Sequence, residues 1–140
     1  MDATGHLKLP ALLENLPAIT ACVTAAASAA GFSARRIGEI DLALEEAVTN
    51  VFKYASPGKA GEIEITCSRG AGAFTVELRY SGREFDITRL PDPDLAQDIA
   101  ERPVGGLGAY LIKKMADGVS YRRLSGLNVL TLVFREIKTP

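Results

Sequence analysis

Between Ile37 and Tyr80 the hydrophobic period of this chain changes from 3.6 to 2, and that change limits the folds open to it. Ile37, Ile40, Leu44, Ala47, Val48, Val51 and Ala55 recur at steps of three and four, one apolar stripe over about five helical turns. Ser33 suits the N-cap of this helix, and Ser56-Pro57-Gly58 ends it. Beyond it, Ile63, Ile65 and Cys67 alternate with polar residues. After a turn at Gly70-Ala71-Gly72, Phe74, Val76, Leu78 and Tyr80 do the same. This alternation predicts an antiparallel hairpin with one buried face. A striped helix and a one-faced sheet bury their apolar sides against each other, which predicts two layers.

The rest of the chain fits that plan. His6 to Leu9 reads as a short edge strand ended by Pro10, and Leu16 to Ala30 as an Ala-rich helix stopped by Gly31. Gly108 to Asp117 reads as a third helix with Leu111, Ile112 and Met115 on its core side. Val119 to Leu124 and Leu127 to Phe134, joined at Ser125-Gly126, make a final hairpin. The last strand is apolar on both faces, as an interior strand would be. Ser81 to Pro103, with three prolines and many charges, reads as loop with one or two helical turns within 95–101. The expected architecture is α/β: a two-layer sandwich with helices on one face of a mostly antiparallel sheet, in a single domain over 1–140.

Charge and cysteine usage narrow the function classes. Sixteen Lys and Arg against seventeen Asp and Glu leave a formal charge of −1, too balanced to hold nucleic acid by bulk electrostatics. The pairs Arg35-Arg36, Lys113-Lys114 and Arg122-Arg123 read as solvated surface. The most apolar stretch, Ala18 to Ala30, is broken by Thr20, Thr24 and Ser28 and falls short of the ~20 residues of a membrane span. The N-terminus carries no basic region of a signal peptide, and Cys22 and Cys67 form no CxxC pair; together these predict a cytoplasmic, reduced protein. One histidine makes a zinc site or a Ser-His-Asp triad improbable.

Three segments have the residue types for chemistry. On a helical wheel with Leu44 at zero, Glu46 falls at about 200°, Asn50 at about 240° and Lys53 at about 180°, opposite the core stripe, with Leu42 beside them. A solvated face with i,i+4 neighbours accounts for this pattern; so does a polar wall facing a phosphate–metal group. Pro103-Val104-Gly105-Gly106-Leu107-Gly108 opens the third helix, where glycines let backbone approach a ligand and free N–H groups attract anions; it is also compatible with a plain flexible loop. Tyr80-Ser81-Gly82-Arg83-Glu84-Phe85-Asp86 lies at a strand exit and alone says nothing.

In this order, the three segments resemble the N-box, G2 box and G1 box of the Bergerat-fold (histidine kinase-like) ATPases. Within that group, Glu46-Ala47-Val48-Thr49-Asn50 with Lys53-Tyr54-Ala55, Gly105 to Ile112 with Met115-Ala116-Asp117, and the closing Tyr121 and Asn128-Val129-Leu130-Thr131-Leu132 resemble the small anti-sigma factor serine kinases. The resemblance implies a mostly antiparallel mixed sheet and Mg-ATP bound between the second helix and an 82–108 lid. It implies Glu46 as general base on a serine of an anti-anti-sigma (STAS-type) partner, Asn50 on Mg²⁺, and Lys53 on phosphate. Gly105, Gly106, Leu107 and Gly108 would cradle phosphates, with Arg102 a contact for the γ-phosphate. It further implies a sigma factor as second partner and leaves oligomeric state open, a homodimer included. The G1 box departs from the family pattern Asp-x-Gly-x-Gly: Gly82 is kept, but Tyr80 replaces the adenine-reading Asp and Glu84 the second Gly. Tyr80 and Gly82 still line the expected nucleotide site. The departure admits a second reading, a degenerate member that binds protein and little or no ATP. A third, a histidine-kinase ATP domain, has no phosphoacceptor helix to support it.

Overall fold

The computed structural model describes residues 2–55, 61–89 and 106–136. Strand β1 (Asp2–Pro10) is followed by a 3-10 turn (Leu13–Asn15), helix α1 (Leu16–Ala29), helix α2 (Ala34–Asn50) and a π-helical turn (Val51–Ala55). Then come β2 (Glu62–Gly70), β3 (Ala73–Tyr80), a second 3-10 turn (Ile87–Arg89), α3 (Gly106–Met115), β4 (Gly118–Leu124) and β5 (Leu127–Phe134). The sheet order is β1-β2-β3-β5-β4, with all four ladders antiparallel, so the mixed sheet implied by resemblance has no parallel pair among the described residues. The strand expected from His6 to Leu9 spans all of Asp2–Pro10 and lies at one edge; β5 is interior, as its two apolar faces predict.

The alternating residues meet in register. Ile63 faces Tyr80, which faces Asn128; Ile65, Leu78 and Leu130 form the next row, and Cys67, Val76 and Leu132 the one after. Apart from Asn128 these side chains make the sheet's half of the core. The other half is Ile19, Val23 and Ala27 of α1, Ile40, Ala43, Leu44, Ala47 and Val48 of α2, and Ala109 and Ile112 of α3. Ser33 caps α2 as expected, its side chain accepting from the Arg36 backbone N–H at 3.2 Å. Both hairpins turn through residues of positive φ, Ala71-Gly72 and Ser125-Gly126, which matches the twist of the flanking strands.

Two expectations change. The stripe predicted one α-helix through Ala55, but α-helical geometry stops at Asn50 and the last five residues widen into a π turn. Arg36 is not solvated surface: its side chain is 3% exposed and its guanidinium donates to Asp117 at 2.6 Å, Glu39 at 3.0 Å, and the carbonyls of Met115 and Arg135 at 2.6 and 2.7 Å. It also lies over the Phe134 ring, 5.5 Å from the centroid. Arg36 thus ties the start of α2 to the end of α3 and the end of β5. The chain turn expected at 56–58 and the helical turn within 95–101 lie outside the described residues.

Candidate functional site

The site begins where α3 starts against the C-terminal half of α2. Gly108 is buried. A Cβ there would lie 2.7 Å from Glu46 Oε2 and 3.0 Å from Asn50 Nδ2, so with glycine the first turn of α3 comes this close without displacing either side chain. Glu46 and Asn50 are one helical turn apart, and the Asn50 carboxamide is oriented by its own helix, donating to the Glu46 carbonyl at 2.6 Å. That bond turns Oδ1, a hard oxygen suited to Mg²⁺, away from the Glu46 carbonyl. Asn50 is only 5% exposed, whereas Glu46 is half-buried and reachable. Gly106 and Leu107 open α3 beside them. Leu42, expected on this face, is 37% exposed.

Lys53 and Tyr54 follow in the π turn. Wider winding rotates Lys53 from the position the α-helical wheel gives it, and its exposed ammonium lies over the Tyr54 ring, 5.7 Å from the centroid. The Tyr54 hydroxyl is the buried side-chain polar atom left without a hydrogen-bond partner among the described residues. A buried hydroxyl without a partner is costly.

The 80–85 turn closes the other side. Gly82 has φ 111°, a conformation that favours glycine. Arg83 donates from its backbone N–H to the Ala55 carbonyl at 3.2 Å and from Nε to the Tyr54 carbonyl, and the Tyr54 and Phe85 rings pack 5.3 Å apart. Tyr80 is 1% exposed, pointing inward as its strand parity predicts, and its hydroxyl donates to the Phe85 carbonyl at 3.1 Å. Burial pushes that hydroxyl well above the usual phenol range, so it stays a donor. Asp86 does not take the place of the missing aspartate: it accepts from the Thr88 backbone N–H at 2.9 Å and from the Thr88 hydroxyl.

Sequence reasoning gave Asn128 no role of its own. It is fully buried, opposite Tyr80 on β5, and both ends of its carboxamide bind the 80–85 turn. The available signal was parity: Asn128 shares the inward face with Leu130, Leu132 and Phe134, an amide where the pattern calls for an apolar residue. Arg102 and Gly105 lie outside the described residues. The structure thus brings Glu46, Asn50 and Gly108 together and sets Tyr80 and Gly82 in a turn bonded to Tyr54 and Ala55.

The family model of the histidine kinase-like ATPase domain matches residues 9–134. The chain belongs to that family. Serine-protein kinase RsbW of Bacillus cereus and that of Bacillus anthracis are each 27% identical to it over 129 residues, which cover 89% of this chain and 81% of the relative. A crystal structure of the RsbU and RsbW domains of a Mycobacterium tuberculosis protein superposes with a TM-score of 0.62 at 17% identity. That match covers 94% of this chain and 32% of the other, about a third of its length, and shows the shared fold. The antiparallel sheet with three helices on one face is therefore the histidine kinase-like ATPase fold. Among the described residues no helix is long and apolar enough to cross a membrane.

The donors present fit a nucleotide–metal group. Among the described residues no three His, Cys, Asp or Glu side chains stand together to hold a metal ion by themselves. Mg²⁺ at Asn50 would share its coordination with phosphate oxygens, the usual arrangement for that ion.

Proposed function

We propose that this chain is an anti-sigma regulatory factor with protein serine/threonine kinase activity, binding Mg-ATP and phosphorylating an anti-anti-sigma STAS-domain partner in the cytoplasm. The observation that carries this reading is the Gly108 contact. A carboxylate, the Asn50 carboxamide and the amino end of a helix converge where a γ-phosphoryl group and its cation would be handled. Mg-ATP supplies the phosphoryl group. Asn50 would hold the cation through Oδ1, and the backbone of 105–108, with Lys53 and Arg102, would face the phosphates. Glu46, half-buried, would take the proton from the partner's serine hydroxyl as its oxygen attacks. The name of the relatives, serine-protein kinase, supports the same reaction class.

A specific observation favours a second reading. The Tyr80 phenol fills the buried place at the strand exit, and its hydroxyl is spent on Phe85. A member built this way would keep the fold and the protein-binding role, including sequestration of a sigma factor, with weak ATP binding or none. Calorimetric titration with ATP, with and without Mg²⁺, separates the two. Binding that depends on Mg²⁺, followed by phosphoserine on a STAS-domain protein from the same genome, is the expected result. No heat with ATP in either condition, alongside intact partner binding, leaves the binding module.

A further inference from the structure

The Asn128 carboxamide has two N–H donors and an oxygen with two lone pairs, and all four are used, three of them on the short 80–85 stretch and the fourth on β4. Nδ2 donates to the carbonyls of Tyr80 and Arg83, each at 3.1 Å. Oδ1 accepts from the Phe85 backbone N–H at 3.2 Å and from the Tyr121 hydroxyl. The network itself orients the amide, since two carbonyls need donors and one N–H needs an acceptor. An aspartate could not donate, and a serine or threonine could not reach four groups at once. Arg123 adds a bond from its guanidinium to the Gly82 carbonyl at 3.0 Å. From the opposite side, the π turn accepts from Arg83 through the carbonyls of Tyr54 and Ala55. The turn after β3 is therefore clamped between β5 and the end of α2 by bonds within the chain.

The clamp has a consequence for recognition. Tyr80 has its hydroxyl on Phe85, and Asn128 has no donor or acceptor left. Neither side chain offers an edge to a base. What the clamp does present is a fixed aromatic surface, the Phe85 and Tyr54 rings in contact.

We propose that Asn128 is a positioning residue for the nucleoside end of the site, locking the 80–85 turn in a ligand-independent shape against which a base packs without being read. The base half of this proposal rests on the nucleotide reading above; the lock does not. Two measurements test them separately. In the ligand-free protein, the Phe85 amide hydrogen should exchange about 100-fold faster in Asn128→Ser than in the parent chain, with amides of α1 and β2 unchanged. Tyr121→Phe, which removes one of the four bonds and keeps its ring, should give a smaller acceleration and covers the case in which the serine variant does not fold. Unchanged Phe85 exchange in both variants overturns the lock.

The second measurement is binding of Mg-ATP, Mg-GTP and Mg-tripolyphosphate. ATP and GTP should bind the parent chain within about threefold of each other, and both more tightly than tripolyphosphate. In Asn128→Ser, or Tyr121→Phe, the nucleotides should move toward the affinity of tripolyphosphate, whose own binding stays within about twofold. Equal weakening of all three would show a merely structural residue and overturn the positioning role. ATP preferred over GTP by more than about tenfold would show that some group reads the base edge, and would overturn that half. If none of the three binds the parent chain, the nucleotide reading falls and takes the base half with it, while exchange at Phe85 still decides the lock.

Discussion

Glu46 and Tyr80 carry the two questions that single residues can answer. Glu46→Gln keeps shape and hydrogen bonding beside Gly108 but cannot take a proton, so phosphotransfer should fall by ~10²–10⁴-fold with ATP affinity nearly unchanged. A rate equal to the parent's, measured by phosphoserine formation, would remove Glu46 from the mechanism. Tyr80→Asp puts a charged acceptor where the family pattern has one. A hydrogen bond to a charged group contributes about 1.5–3 kcal/mol, so preference for ATP over GTP should rise by roughly 10-fold or more. The same variant buries a carboxylate opposite Asn128, so the ligand-free chain should denature at lower urea concentration. Calorimetry with both nucleotides checks the first effect, and absence of any new preference would place the base elsewhere. The cysteines make a third case. Burial, with Cys22 nearby, pushes the Cys67 thiol up to about 12, so at pH 8 only about one in 10⁴ is thiolate; Cys22 is half-buried. A thiol reagent at pH 8 should label Cys22 in the native chain and Cys67 only after unfolding, as mass spectrometry would show.

At the scale of elements, the decisive contact is the approach of α3 to α2. Gly108→Ala tests it with one methyl group. Alanine favours a helix over glycine by about 1 kcal/mol, which offsets part of the strain of a Cβ at 2.7 Å from Glu46 Oε2. Glu46 has room to rotate its carboxylate away, whereas Asn50 is held by its bond to the Glu46 carbonyl. The expected outcome is stability within about 1 kcal/mol of the parent and a loss of more than about tenfold in Mg-ATP affinity. Urea denaturation and calorimetry on the same preparation measure both. Undiminished affinity would show that α3 and α2 do not share a ligand. The π turn after α2 matters at the same scale. Its wider winding redirects Lys53, and its Tyr54 and Ala55 carbonyls receive Arg83, joining two segments far apart in sequence.

For the whole molecule, Arg36 joins the three helix and strand ends that frame the core. Its partners Glu39, Met115, Asp117 and Arg135 come from α2, α3 and the ends that flank β4 and β5. Removing one member of a buried ion pair strands the other charge, at a cost of about 3–5 kcal/mol. Arg36→Met should therefore lower stability by that amount, read as a shift of the urea midpoint with unchanged slope. A change below about 1 kcal/mol would mean that Asp117 is solvated when Arg36 is gone.

The period change, the N-cap serine, the turn residues and the one-faced alternation were enough to predict the layers, most element limits and the inward direction of Tyr80, because each depends on neighbours within a few residues. The same local information, with the resemblance, brought Glu46, Asn50 and the 105–108 glycines into one hypothesis. It could not show that Gly108 touches the first two, because that closeness depends on how α3 packs across α2. Arg36 looked like surface charge because a guanidinium's burial depends on partners about 80 residues further along, which no spacing reveals. Asn128 was visible as an amide on an apolar face, but its four partners gather only when β3 pairs with β5 and the turn folds back. Nor could an apolar stripe with steps of three and four distinguish an α-helix from one that widens into a π turn. Local chemistry determined the elements; the contacts that make a site, and the buried polar groups that must find partners there, were decided by tertiary packing.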